Sequence, residues 1–329
     1  MKNLHLYDAI IDVRSQKEFT HSHIPSAYNL PVLSNEEHQE IGTLYHKNPL
    51  QAKLLGASLV CKNISQMLQD PNLLPIFSHK HTILIYCARG GLRSESLYQV
   101  LSHLNLRVKK LQDGYKGYRQ KVLEILQRDY SFLTLYGPTG CGKSEIIQAC
   151  SDFSIDLERL AHHYGSSFGS MAEKVFGPQP SQKMFENLLA FELEKKAQQY
   201  PLLIEAESKK LGKLIIPKNL STNYQNSPKI LITAPIQERV LRIKNLYSHI
   251  DDSLFFNAMQ KIKPYISGIF YEEILHLWNK KDFEKIALIL IEKYYDKVYK
   301  KSQYDFELEH TQLDKSIQYI QTIREMLKS

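Results

Sequence analysis

The sequence has little cysteine, no long apolar run and no internal repeat, and each shortage closes off a class of protein. Only Cys61, Cys87, Cys141 and Cys150 are present in 329 residues. No pair has CxxC spacing, which argues against zinc and redox dithiol sites. Four scattered thiols cannot build a chain of this length from disulfides, and a reducing cytoplasm is the expected compartment. No apolar stretch approaches the ~20 residues of a membrane-spanning helix. The longest, Ile286 to Ile291, is flanked by charge and is expected to be a buried helix or strand segment. Met1 to Asp8 lacks the basic-then-apolar form of a secretion signal. What remains is an ordinary globular composition, 43% hydrophobic and 23% charged, with length for about two domains. The net charge of +7 fits a polyanionic partner, because lysine and arginine gain by neutralising phosphates.

Two strand–loop–helix units punctuate the chain and predict an α/β fold. The first runs from Thr82–Tyr86 through Cys87–Arg93 into a helix from Ser94. The second runs from Ser131–Tyr136 through Gly137–Ser144 into a helix ending near Ser151. An amphipathic helix over Tyr118–Leu126 precedes the second unit, so the domains are expected to be 1–127 and 128–329. From about Asn257 onward lysine, glutamate and apolar residues at helical spacing predict a mainly helical C-terminal region, with Leu313, Ile317, Ile320, Ile323 and Leu327 on one face. Within it, Glu292–Lys301 interleaves Tyr294, Tyr295 and Tyr299 with lysines, a pattern that suits either a solvated helix or the stacking of bases.

Cys87 stands where a buried strand meets a glycine loop. Gly90 and Gly91 allow backbone N–H groups to converge, and the following helix N-terminus favours negative charge. A thiol in that setting is pulled toward thiolate, as a nucleophile requires. Arg89 and Arg93 add positive charge, so Arg89, Gly90, Gly91 and Arg93 form the expected anion cradle around a catalytic Cys87.

Gly137-Pro-Thr-Gly-Cys-Gly-Lys-Ser144 fits G-x₄-G-K-S. Such a loop wraps phosphates with its amides, reaches them with its lysine and offers its serine to Mg²⁺. Gly137, Gly140, Gly142, Lys143 and Ser144 are therefore the expected phosphate-binding residues. Two acidic strand ends, Asp156 with Glu158 and Glu205 with Glu207, are candidate metal ligands, with solvated surface carboxylates as the alternative. Arg239 and Arg242, after the strand Lys229–Thr233 and Ala234-Pro235, either reach phosphates or face solvent.

Ile11-Asp12-Val13-Arg14, Glu18-Phe19, His23-Ile24-Pro25-Ser26-Ala27, Tyr86-Cys87 and Arg93-Ser94 together resemble rhodanese-like domains over residues 5 to 125. The resemblance implies that Cys87 carries sulfur or selenium, that Arg14 pairs with Glu18, and that Asp12 braces the loop. Cys87 to Arg93 is C-x₅-R, one residue longer than in many single-domain members and equal to the spacing of the fold's cysteine phosphatases. The wider loop suits a phosphate-bearing donor such as selenophosphate.

The pairing of such a domain with a phosphate loop resembles tRNA 2-selenouridine synthases. So do Asn35–His38, Ile41–Tyr45, Gln51-Ala52, Gly56-Ala57, Cys87–Ser94, Gly114–Lys116 and Tyr118-Arg119. The second domain matches at Asp156–Glu158, His163, Gly165–Gly169, Pro180–Gln182, Phe185–Asn187, Tyr294–Asp296 and Tyr299. Ala88, Asp113, Tyr164, Ala206 and Lys209 depart from the family pattern. The resemblance implies an enzyme acting on wobble 2-thiouridine in the anticodon arm of tRNA. Geranyl diphosphate would give an S-geranyl intermediate, and selenophosphate would then exchange selenium for sulfur. It leaves Mg²⁺ as a candidate, leaves ATP open, and allows an enzyme that supplies selenophosphate as a partner. A plain sulfurtransferase, a small-molecule kinase and a cysteine phosphatase remain open on the individual loops.

Overall fold

The structure, a computed structural model, describes residues 4–299 and 303–328. It divides into two compact units. The first comprises Met1–Leu126 with Ser181–Glu194, and the second Gln127–Pro180 with Lys195–Ser329. The second unit's sequence is thus interrupted by a segment that belongs to the first.

The first unit carries a four-stranded parallel sheet. Its strands are β1 (Ala9–Asp12), β2 (Tyr28–Asn29), β3 (Thr82–Tyr86) and β4 (Arg107–Lys110), in the order β2-β1-β3-β4. β1 and β3 are buried on both faces, as near-continuous apolar runs in parallel sheets must be. Their side chains meet Val60, Ile64, Leu97 and Leu101 in one core. Between β2 and β3 stands a helical hairpin, Asn35–Lys47 and Pro49–Gln69. Ser34 and Glu37 form a capping box at its start. Asn48 caps the second helix, whose first residue, Pro49, needs no amide partner there. The helix Gln182–Lys195 anchors to this unit: fully buried Asn187 donates to the His23 carbonyl at 2.7 Å and to the Tyr115 hydroxyl at 2.8 Å. Arg119 donates to Asn187 at 2.6 Å and pairs with Glu186.

The second unit holds a five-stranded parallel sheet. In chain order its strands are β5 (Phe132–Tyr136), β6 (Ser154–Ile155), β7 (Leu202–Glu205), then β10 (Lys229–Thr233) and β11 (Phe306–Glu309). A small antiparallel ribbon, β8 (Lys210–Leu211) and β9 (Leu214–Ile215), lies between β7 and β10 in sequence. The sheet order is β11-β10-β5-β7-β6, which puts the strand leading into the phosphate loop at the centre. β11 is an exception within the C-terminal region expected to be mainly helical. Its Phe-Glu-Leu-Glu alternates half-buried and exposed as an edge strand does, and four residues are too few to outweigh the helical periodicity around them.

A second core forms among the helices Ile236–Tyr247, Asp252–Ile262, Gly268–Asn279 and Phe283–Leu290. Trp278 stacks on Phe255 with ring centroids 3.7 Å apart and donates to Asp252 at 2.9 Å. Ile286 to Ile291 is helical, with Ile286, Ala287, Leu290 and Ile291 buried and Leu288 exposed, and it runs into a π-helical turn, Ile291–Tyr295. On the last helix, Leu313–Lys328, Ile320 and Ile323 are buried and Ile317 packs beside them, whereas Leu313 and Leu327 are exposed at its ends. Among the described residues no helix is long and apolar enough to cross a membrane. Lys300 and Lys301, which end the basic segment, lie outside the described residues.

Candidate functional site

The first site is built where β3 ends. Cys87 is buried at the strand's edge, the loop through Gly91 follows, and the helix Leu92–His103 begins. Gly90 sits at φ +65°. Gly114 carries more of the geometry: at φ +56°, a Cβ on it would overlap the Cys87 carbonyl oxygen and the Gly90 nitrogen. The next two N–H groups, of Tyr115 and Lys116, donate to the carbonyls of Cys87 (2.8 Å) and Ala88 (3.0 Å).

Ser94 donates to Cys87 Sγ at 3.1 Å. Burial pushes the thiol up, but the Ser94 hydroxyl and the N–H groups of Arg89, Ser94 and Gly91 outweigh it, and Cys87 titrates below its ordinary value. The thiolate is therefore held by a hydroxyl and by amides rather than by the arginines. Arg89 is exposed. Arg93 is turned to Glu18, with Nη1–Oε2 at 2.7 Å. Burial works against the Glu18 carboxylate, and Arg93 more than offsets it, lowering the carboxyl's pKa.

This corrects the expected pairing of Arg14 with Glu18. Arg14 forks instead onto Asp12, with Nη2–Oδ2 at 2.6 Å and Nε–Oδ1 at 3.0 Å. Two residues apart in extended chain, these side chains share a face. Glu18 is committed to the helix start as the capping-box partner of Ser15, where Arg93 meets it. Asp12 braces the loop indirectly. It holds Arg14, whose guanidinium lies 4.0 Å from the ring centroid of Tyr115, and the Tyr115 amide holds the Cys87 carbonyl.

The second site surrounds the phosphate loop, between β5 and the helix Lys143–Ala149. Gly140 (φ +82°) and Gly142 (φ +93°) adopt a conformation that side chains resist. Gly137 lies against the Ile232 carbonyl, where a Cβ would overlap it. Lys143 Nζ donates to the Gly137 carbonyl at 2.8 Å. Burial opposes its charge, yet Cys141, Glu205, Glu207 and Glu158 outweigh that and keep it firmly protonated.

Three of the four candidate carboxylates come together. Glu158, Glu205 and Glu207 each place an oxygen within 4.8 Å of the others. Ser144 Oγ donates to Glu158 at 3.0 Å, and the Gly165 amide donates to the same carboxylate at 2.6 Å. A Cβ on Gly165 would overlap the Glu207 carboxylate. Glu207 is pushed up to about 8 by burial and by Glu158. Glu205 is raised well above its ordinary value by burial and by its two acidic neighbours, and its Oε2 is buried without a partner. Asp156 stays apart: it caps the helix Leu157–Ala161 by accepting from the Arg159 amide at 2.9 Å.

Arg239 and Arg242 hold the loop's backbone. Arg239 Nε donates to the Thr139 carbonyl at 3.0 Å, and its two Nη atoms fork onto Asp296 at 3.0 and 2.6 Å. Arg242 reaches the Gly140 carbonyl at 3.4 Å and Glu145 at 3.1 Å. Buried His310, just past β11, also bonds Glu145 (3.1 Å) and lies where a Cβ on Gly142 would fall. Asp296 lies in a segment that matches the family pattern, but its pairing with Arg239 is not readable from sequence, and His310 carries no local motif at all; each reaches its partner from more than fifty residues away.

The family model for the tRNA 2-selenouridine synthase AAA domain matches residues 130–265, and that for rhodanese-like domains matches residues 1–121. A tRNA 2-selenouridine synthase of Shewanella frigidimarina is 36% identical over 266 residues, 79% of this chain and 68% of the relative. One from Shewanella loihica is 33% identical over 326 residues, 88% of this chain and 86% of the relative. One from Nitrosomonas europaea is 34% identical over 291 residues, 84% and 74% respectively. Similarity at this level across both units means that the chain belongs to the tRNA 2-selenouridine synthase family.

Proposed function

We propose that this chain is a selenotransferase that converts 2-thiouridine at the wobble position of tRNA to 2-selenouridine, with selenophosphate as selenium donor. We further propose that the second unit first attaches a geranyl group to the thiouridine sulfur from geranyl diphosphate. The observation that carries the reading is the coexistence, in one member of this family, of a hydroxyl- and amide-stabilised Cys87 thiolate and a built phosphate loop.

In the first step the thiouridine sulfur attacks the C1 carbon of geranyl diphosphate, and pyrophosphate leaves. The loop amides and Lys143 stabilise charge on the departing diphosphate. In the second, the bond from the base carbon to the alkylated sulfur breaks and a bond to selenium forms, the thiolate leaves and takes a proton as thiogeraniol, and water cleaves the Se–P bond of selenophosphate to release phosphate. An S-geranyl group leaves far more readily than a bare thiocarbonyl sulfur. Cys87 serves this step as nucleophile: its thiolate displaces the geranyl thiolate from the base carbon and is displaced in turn by selenium, so no oxidant is needed.

The carboxylate trio fits Mg²⁺. It offers three close carboxylate oxygens beside the Ser144 hydroxyl, and Glu205 Oε2 is buried without a partner. Glu158, Glu205, Glu207 and Ser144 would hold the ion, which supplies further charge for the diphosphate. Arg93 is occupied by Glu18, which disfavours the phosphatase reading, since that chemistry needs the arginine on the substrate phosphate.

Nucleoside mass spectrometry tests the proposal. Full-length protein is incubated with a 2-thiouridine anticodon stem-loop, geranyl diphosphate and selenophosphate, each omitted in turn. Lys143→Ala should abolish the geranyl adduct, and Cys87→Ser should leave the adduct and abolish selenium incorporation. An unchanged stem-loop with folded wild-type protein refutes the reading.

A further inference from the structure

Three segments of the second unit meet beside the loop that covers the carboxylate trio. They are the turn Lys263–Tyr265, the start of the helix Gly268–Asn279, and the π-helical turn Ile291–Tyr295. Lys263 Nζ lies 5.3 Å from the centroid of the Tyr271 ring, and Lys293 Nζ lies 5.3 Å from that of Phe270. The Tyr265 ring lies 6.3 Å from that of Tyr294. Two of these neighbours project large apolar surface into solvent: Tyr265 is 63% exposed and Ile269 80%. Among the described residues Lys263 has no ion pair. Lys293 has only an exposed contact with Glu292 at 3.3 Å, which contributes little. A third lysine, Lys261, is close enough to His163 to help hold that imidazole neutral, after burial.

This edge is continuous with the phosphate site. Tyr294 shares a hydrogen bond with Ser167 at 2.8 Å, and Gly165, two residues earlier, donates its amide to Glu158 at 2.6 Å. Two residues of chain span at most about 7 Å, so the short loop that meets Tyr294 at Ser167 also meets the Glu158 carboxylate at Gly165. An aromatic face framed by lysines matches single-stranded nucleic acid: bases have π-faces to stack on tyrosine, and phosphates follow the ammonium groups. Folded duplex would gain less, because its bases are already stacked.

We infer that the edge formed by Lys261, Lys263, Tyr265, Ile269 and Lys293 seats the unpaired anticodon-loop nucleotides of the RNA, with Tyr265 as the stacking platform. The inference rests on tRNA being the substrate and adds where its single strand is held. The arrangement accounts for a large apolar surface left in solvent beside a site meant for phosphates.

The test measures binding of a labelled 2-thiouridine stem-loop to the full chain across a salt series. The variants are Tyr265→Ala, Lys263→Glu and Lys293→Glu. Loss of one stacking base should weaken binding roughly 10-fold. Each charge reversal should weaken it by a similar factor and flatten the salt dependence by about one ion per lysine. Binding of inorganic pyrophosphate and the thermal midpoint should not move. Wild-type-like RNA affinity in all three variants overturns the inference while leaving the substrate reading intact. Failure of the wild type to bind the stem-loop refutes the substrate reading itself. Loss of pyrophosphate binding in these variants would make the edge part of the phosphate site, and competition by a polyglutamate peptide as strong as by RNA would make it an acidic-protein surface; either overturns the inference.

Discussion

At the scale of single residues, the thiolate depends on one hydroxyl. Ser94 is buried, and its Oγ lies 3.1 Å from Cys87 Sγ and 3.1 Å from the Gly91 carbonyl. A hydroxyl has one proton to give, so ionising Cys87 draws it to sulfur. Ser94→Ala should shift the pH profile of Cys87 alkylation by iodoacetamide to higher pH and slow alkylation at pH 7 by roughly 3- to 10-fold, the net worth of an ordinary hydrogen bond. An unmoved profile would mean that the amides alone hold the thiolate. Cys87 and its glycines were legible in the sequence because strand, loop and helix follow one another within a dozen residues. The partner of Arg93 was not legible: which carboxylate it meets depends on how Glu18 is committed by its own helix cap. Asp113, where the family has glycine, sits at φ +59° just before Gly114. The departure is physically intelligible, since aspartate tolerates the left-handed region better than most side chains.

At the scale of elements, the phosphate loop is read directly from its string, whereas the acidic set beside it is assembled from a helix and a strand end far apart in sequence. Glu158 and Glu205 are 47 residues apart, and neither position alone distinguishes a buried ligand from a solvated carboxylate. Their burial has a consequence for stability. Glu207 titrates near 8 in the folded chain against an ordinary 4.5, so between those values the folded state binds the proton more tightly than the unfolded one. Stability should then be greatest below pH 4.5, so far as these groups decide it, and should decline as pH rises toward 8. A divalent cation that replaces the protons should raise the thermal midpoint at pH 8 and flatten the slope. Calorimetry from pH 5 to 8, with and without Mg²⁺, checks this; a midpoint independent of both would remove the case for a metal at the trio. The π-helical turn was not legible either. Its extra residue per turn lets Tyr294 and Tyr295 both face inward, so that Tyr294 meets Ser167 while Asp296, the next residue along, holds the Arg239 that donates to the Thr139 carbonyl.

At the scale of the whole molecule, the two parallel sheets follow from the two strand–loop–helix units, and the structure changes unit after Leu126. What composition and periodicity did not disclose is the return of Ser181–Glu194 to the first unit. An amphipathic helix shows that it has a buried side and is silent about which core it joins. A fragment ending at Leu126 therefore lacks the partner of Arg119 and leaves the Tyr115 hydroxyl and the His23 carbonyl without Asn187. Such a fragment should be less soluble and melt at lower temperature than the same fragment fused to residues 181–195, as monitored by circular dichroism. Equal melting would show the helix to be dispensable.

The returning helix also bears on synthesis. A ribosome delivers the chain from one end, and the first unit's last helix emerges only after the phosphate loop and two strands of the other sheet. At about 5–20 residues per second, that delay is roughly 3–14 seconds. For that interval the nascent N-terminal unit waits with Asn187's binding partners open, and nascent segments of both units share the space outside the exit tunnel. Order of translation and order of completion are therefore different in this protein, and a chaperone that shields the incomplete first unit would act in that window.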